Sequence, residues 1–225
     1  MIVIDGDYPM AHGALRFGRD LTKSIEEARA QAVKLSEESD SELQGNKDVL
    51  GDGIMASLPE MRKGNVAVAI VKVVSCVKRP GHHHGDVLTD VHSNAEGQGQ
   101  LAYYHILEEL NEARLLKSSG DFKDHVNTWI DEDDHSKSPV GMVLGMEGAD
   151  PITSPEQVHD WYEKGLRVIS LSHYGVSRYS HGTGTGTEGG LMGRAKELLQ
   201  EMDSLNMILD LTHTSDESIK QELEI

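Results

Sequence analysis

The sequence predicts an α/β fold built on a parallel sheet or barrel, and three observations carry that expectation. Short, β-branched, nearly continuous apolar runs recur along the chain at 2–4, 65–75, 139–146, 166–172 and 205–212. Runs of this kind are strands covered on both faces rather than half-exposed strands, which alternate. Helical spacing fills the segments between them, and strands alternating with helices imply parallel pairing. Finally, Asp5-Gly6-Asp7, Glu147, His173 and His213 each stand just past an apolar run. The C-terminal ends of strands are where a (β/α) barrel gathers its catalytic groups.

Each element has its own warrant. The first run, "IVI", stops at Asp5-Gly6-Asp7 with Pro9 behind it; these are turn formers, but a carboxylate at a strand end can also point into a site. Ser24 and Glu27 form a capping box, and Ser154-Pro155-Glu156-Gln157 offers an N-cap, a proline at the first helical position and a capping glutamine. Gly165 then closes that helix. A longer helix is expected over 95–115. In 191–205, Leu191, Ala195, Leu198, Leu199, Met202 and Leu205 fall at helical spacing, the pattern of a helix lying on a sheet. Residues 36–48 and 131–138 read as solvated acidic loops. The strand runs are interrupted by Lys72 and a few small polar residues, and there is no internal repeat.

Composition bounds the function. With 225 residues and 37% hydrophobic content the chain can bury a substantial core, as one large domain or at most two small ones. A formal charge of -17 with no basic stripe argues against a nucleic-acid partner. No run approaches the ~20 apolar residues of a membrane helix, and the start lacks the basic segment and cleavage site of a signal peptide, so no membrane partner and a cytoplasmic location are expected. The one cysteine, Cys76, lies at the end of an apolar run and is expected as a buried, reduced thiol.

Carboxylates and imidazoles held on different strands can ligate zinc, and a carboxylate shared between two ions makes a two-metal hydrolytic site. One such residue alone reads as a hydrogen-bonded packing group; several in register are harder to dismiss. Other motifs are weaker. "GTGTEG" (184–189) fits G-x-G-x-x-G, but the preceding strand ends about ten residues too early to feed a dinucleotide loop. "GHHHG" (81–85) reads as a solvated loop, since consecutive histidines on glycines lack supporting partners.

Together, "IDGDYPMAHGALRFGRDLT", "GQGQLAYYHILEE", "GMEGADPI", "GLRVISLSHYGVSRYSHGTGTGTEGGL" and "LNMILDLTHTSDES" resemble the membrane (renal) dipeptidase family of zinc peptidases, peptidase family M19, from residue 2 to the last residue. The resemblance implies a (β/α)8 TIM-type barrel of the metal-dependent hydrolase kind, in which two zinc ions activate a water that cleaves a dipeptide. It implies Glu147 as the carboxylate bridging the metals, His213 as a ligand of the second metal and His173 as a substrate-binding histidine. His181 matches a loop bordering the site, with no assigned role.

The departures are as specific. The family's first strand usually ends in a His and an Asp two apart, on one side of the strand; here those positions are Asp7 and Pro9. Asp7 can still offer a metal an oxygen, whereas Pro9 offers none. Only five strand runs are visible, so residues 1–225 are expected as a single partial barrel truncated after about five strands, lacking the strand-six histidine and the family's catalytic acid region. One zinc ion or none is therefore expected. Two function classes follow: a zinc-dependent hydrolase of dipeptides or small amides, impaired in this chain, or a non-catalytic member of the same fold. Unpaired strand edges make a homo-oligomer an expected state.

Overall fold

The computed structural model describes residues 1–38, 53–81, 84–185 and 189–225. In chain order the elements are β1 (Val3–Tyr8), α1 (Met10–Phe17), α2 (Ile25–Glu38), α3 (Leu58–Lys63), β2 (Val66–Val73), α4 (Asp90–Glu109), β3 (Ala113–Leu115), α5 (Ser119–Asp131), β4 (Val140–Glu147), α6 (Val158–Glu163), β5 (Leu166–Ser170), α7 (Ala195–Ser204), β6 (Ile208–Leu209) and α8 (Asp216–Glu222). Among the described residues β1 with β2, β3 with β4, β4 with β5 and β5 with β6 all pair parallel, as the strand–helix alternation predicts. The chain divides into two compact units, Met1–Val71 with Tyr103–Met142 and Lys72–Ala102 with Val143–Ile225. The divisions fall within β2, α4 and β4.

In the first unit β1 pairs with β2 and β3 with β4. Helix α1 ends on Gly18, whose φ of 61° is open to glycine at little cost and whose N–H bonds back to the Ala14 carbonyl. The predicted capping box is present: Glu27 N–H donates to Ser24 Oγ at 3.2 Å, and Ser24 N–H to Glu27 Oε2 at 3.1 Å. Buried Arg62 is satisfied by the Ser138 carbonyl at 2.8 Å and the Glu112 carboxylate at 2.6 Å. His125 lies against the Ala67 carbonyl at 2.9 Å, directly over Gly141, where a Cβ would meet its ring at 2.6 Å.

In the second unit β4 pairs with β5 and β5 with β6. Trp161 of α6 is fully buried, and Gly97 lets α4 close to within 3.1 Å of Trp161 and Pro151, measured from where a Cβ would stand. Helix α7 buries Ala195, Leu198, Leu199 and Met202, four of the six residues its predicted stripe named. Among the described residues no helix is long and apolar enough to cross a membrane.

Several expectations are corrected. Among the described residues there are six strands rather than five, because the short Ala113-Arg114-Leu115 segment forms β3 against β4; the helix expected over 95–115 is Asp90–Glu109 and stops before it. Strand β1 does not stop at Ile4 but continues through Asp5-Gly6-Asp7 to Tyr8, with an irregularity in its register between Asp5 and Tyr8. Nor is β1 covered on both faces: Val3 and Ile4 are 42% and 52% exposed. Ser36–Glu38, expected in a loop, end α2, and the rest of the 36–48 segment lies outside the described residues. Ser154 makes no side-chain cap; a single 3-10 turn, Pro155–Gln157, precedes α6, and Gln157 Oε1 instead accepts the Thr153 N–H at 2.9 Å. Cys76 is a free thiol but only partly buried; that burial, with Asp150 nearby, pushes its pKa well up.

Candidate metal centre

Parallel register aligns the strand ends of the second unit. Glu147, the last residue of β4, sits opposite Ser170, the last of β5, and Ile169 sits opposite Leu209, the last of β6. The chain then turns over each end, and His173 and His213 follow three and four residues on. Gly148, at φ 83°, makes the first turn, and its N–H reaches the Ser170 carbonyl at 3.2 Å.

Three of the four expected site residues converge. One ligand atom each from Glu147, His173 and His213 lies within 4.8 Å of the others. His213 Nε2 is 2.8 Å from Glu147 Oε1, and His173 Nε2 is 3.8 Å from the same oxygen. Glu147 is 5% exposed, His213 19% and His173 27%, so the carboxylate forms the floor and the imidazoles the rim. Asp7 lies in the first unit, exposed on β1, with its N–H on Asp5 Oδ1 at 3.1 Å; Pro9 precedes α1 without a side-chain hydrogen bond.

The donor set suits a divalent transition metal: a carboxylate oxygen and an imidazole nitrogen, from Glu147 and His213, are ligand types zinc takes, and the second imidazole, His173, stands beside them. Ligands of a tetrahedral zinc ion stand about 3.3–3.5 Å apart for bonds of about 2.0–2.2 Å; His213 Nε2, at 2.8 Å from Glu147 Oε1, lies at hydrogen-bond distance, so a shift of about half an ångström would open the pair to that spacing.

Residues around the centre that were not singled out as site residues fix its shape. Tyr174 is 45% exposed and its ring packs 4.1 Å from that of His213 and 4.6 Å from that of His173, centre to centre. His84, from the "GHHHG" stretch, lies 6.1 Å from the Tyr174 ring; His82 and His83 are outside the described residues. The glycine-rich segment serves as a strap. Gly182 N–H donates to the Gly175 carbonyl, Gly184 N–H to that of Tyr174 and Thr183 N–H to that of His213, each at 2.8 Å. A Cβ on Gly182 would collide with the His173 and Gly175 carbonyls. That packing accounts for Gly182 and Gly184; Gly186–Glu188 are outside the described residues. His181 contributes its carbonyl, which accepts the Ser215 N–H at 3.1 Å. Only the short-range glycine pattern was visible in the sequence, and it carried no hint of what the backbone would bind.

Below the rim, Asp150 of "GMEGAD" accepts from Val77 N–H at 2.8 Å, Arg178 N–H at 2.7 Å and the Arg79 guanidinium at 2.5 Å. Burial still raises its pKa against those donors. Asp210 binds Lys72, which is fully buried, and accepts from Thr212. Burial works to raise the Asp210 pKa, but the bonds from Lys72 and Thr212 outweigh it and hold it below the usual range.

Comparison with known proteins places this arrangement. The structure superposes on dipeptidase AC, a metallopeptidase of family M19, with a TM-score of 0.68 at 17% identity, covering 100% of this chain and 60% of that one. It superposes equally, at 15% identity, on a metallopeptidase from Rhodobacter sphaeroides liganded with a phosphinate mimic of the dipeptide L-Ala-D-Ala, covering 62% of that chain. These likenesses establish the fold: the parallel α/β arrangement is that of part of the M19 barrel. In sequence, an uncharacterised dipeptidase of Schizosaccharomyces pombe is 30% identical over 95 residues, 41% of this chain and 23% of that protein. The chain thus spans less than two thirds of the length of these relatives. The model of the membrane dipeptidases, peptidase family M19, matches residues 22–225, and the chain belongs to that family.

Proposed function

We propose that the protein is a zinc-dependent metallohydrolase of dipeptides or small amides, with Glu147 and His213 as metal ligands and His173 facing the substrate. The observation that carries this reading is the convergence of Glu147 Oε1 with both imidazoles. The division of roles rests on distance and exposure: His213 approaches the carboxylate at 2.8 Å, whereas His173 stands 3.8 Å off on the more open side. Bound there, zinc supplies Lewis-acid polarisation and a water acidified to a pKa near ~7. The chain's own residues do the rest. Buried Glu147 supplies the fixed negative charge that draws the cation. His173 donates a hydrogen bond to the scissile carbonyl and steadies the tetrahedral oxyanion, and Tyr174 offers an apolar face beside it. The L-Ala-D-Ala mimic bound by the Rhodobacter neighbour makes a dipeptide the first substrate to test.

A second reading, a non-catalytic member with one ion or none, is favoured by Asp7 and Pro9 at the positions where the resemblance expects a His and an Asp. Asp7 is proposed as the remaining oxygen ligand of a weakened first site. Zinc titration of the purified chain separates the readings: about two ions per chain with chelator-sensitive dipeptide hydrolysis supports the enzyme, and one ion or none without hydrolysis supports the non-catalytic member. A Glu147→Gln chain that keeps the wild-type zinc stoichiometry would remove Glu147 from the centre.

A further inference from the structure

We propose that Lys72 is a positioning residue for His213, acting through the carboxylate of Asp210. The placement of His213 stands on geometry alone; that it serves a metal rests on the ligand role proposed above.

Lys72 lies on β2 with 0% exposure, between Val71 and Val73 in sequence, whose side chains point to the other face of the strand. A buried ammonium is retained only where its lost hydration is compensated, and Lys72 reaches Asp210 Oδ2, 138 residues away in sequence. The other oxygen of the same carboxylate, Oδ1, accepts the Thr212 N–H at 2.9 Å and the Thr212 hydroxyl at 2.6 Å, closing an Asx turn. Asp210 N–H in turn donates to the Ile169 carbonyl of β5 at 2.9 Å.

The next residue, His213, has a φ of 64°. A non-glycine residue in the left-handed region is strained and persists only where its surroundings over-determine it. Here the Asx turn fixes the approach from one side, and the Thr183 N–H holds the His213 carbonyl at 2.8 Å from the other. The result is Nε2 at 2.8 Å from Glu147 Oε1. With Lys72 removed, Oδ2 of a mostly buried carboxylate loses its cation, and rotation of the carboxylate toward water would open the turn that sets His213. A lysine whose only contribution was to fill the interior would not need its ammonium on the one carboxylate that also forms this turn.

The test is imidazole nitrogen NMR of the metal-free chain, with zinc affinity as the second readout, on Lys72→Met, Lys72→Arg and Thr212→Val. Lys72→Met should move the His213 Nε2 signal toward that of a solvated imidazole, leave His173 in place and weaken zinc by about tenfold to a hundredfold, the usual effect of a partner one shell behind a ligand. Lys72→Arg, which keeps the charge, should restore both readouts in large part. Thr212→Val removes only the hydroxyl bond and should move His213 in the same direction by less; it decides the matter if Lys72→Met does not fold. A folded Lys72→Met with wild-type His213 signals would overturn the proposal, as would His173 and His213 shifting together in step with a lower Tm. Should the wild-type chain take up no zinc, the ligand role fails while the His213 signals still decide the positioning.

Discussion

Strands β4 and β5 are buried along nearly their whole length, whereas β1 and β6 leave Val3, Ile4 and Ile208 42%, 52% and 58% exposed. Val3, Ile4 and Ile208 are nonetheless the same kinds of aliphatic residue that fill β4 and β5. The difference is in neighbours: β4 and β5 pair on both sides, while β1 pairs with β2 and β6 with β5 on one side each among the described residues. An apolar run therefore records the surroundings a strand is built for, and burial records the surroundings it has.

The largest effect that tests this contrast is a truncation in the middle of the sheet. Leu144, 1% exposed on β4, should cost about 2–5 kcal/mol as Leu144→Ala, while Ile4→Ala should stay within about 0.5 kcal/mol. Equal losses in chemical denaturation would erase the distinction. Next comes Glu147→Gln at the end of β4, expected to weaken zinc by more than about a hundredfold with the helical circular dichroism unchanged. It would sharpen the comparison by showing that a central strand end carries the chemistry.

Near β6 the expected effect is pH-dependent. The Glu222 carboxyl is buried with neither oxygen hydrogen-bonded among the described residues, and burial raises its pKa to about 7. Below the unfolded value of about 4.5 both states are protonated and burial carries no penalty. As pH rises from there to about 7 the unfolded chain ionises while the folded one does not, so stability falls, then levels off once both are charged. The loss should be roughly 2 kcal/mol after allowance for solvent screening. Glu222→Gln should flatten that slope in urea titrations at pH 4 and pH 8; an unchanged slope would assign it to other groups.

The smallest effect on stability is expected from charges on the exposed edges. Ile4→Lys and Ile208→Lys should change unfolding by within about 0.5 kcal/mol yet reduce self-association in sedimentation velocity, because lysine blunts an open edge. A wild-type chain that already sediments as a monomer at every concentration would show that the edges are not sticky.

How much of this was legible depended on how far apart the partners lie. Strands β2, β4 and β5 could be read because each is a contiguous run, and the clustering of Glu147, His173 and His213 because each stands at or just past the end of one. β3 was missed, since three residues with an arginine in the middle carry no period. β1 was cut short because Asp5 and Asp7 look like a stop, although an exposed strand tolerates polar side chains. Lys72 registered only as an interruption; its meaning lay in a carboxylate 138 residues on. The contacts of Gly182 and Gly184 are made by backbone atoms, which every residue has and no sequence pattern marks.

The strap through Gly182, Thr183 and Gly184 means that the two histidine-bearing loops do not breathe separately. One short segment is hydrogen-bonded to the Tyr174 and Gly175 carbonyls on one loop and to the His213 carbonyl on the other. Lifting either loop tears bonds belonging to both. The amide hydrogens of Gly182, Thr183 and Gly184 should then exchange with solvent at one common rate, as a single cooperative opening.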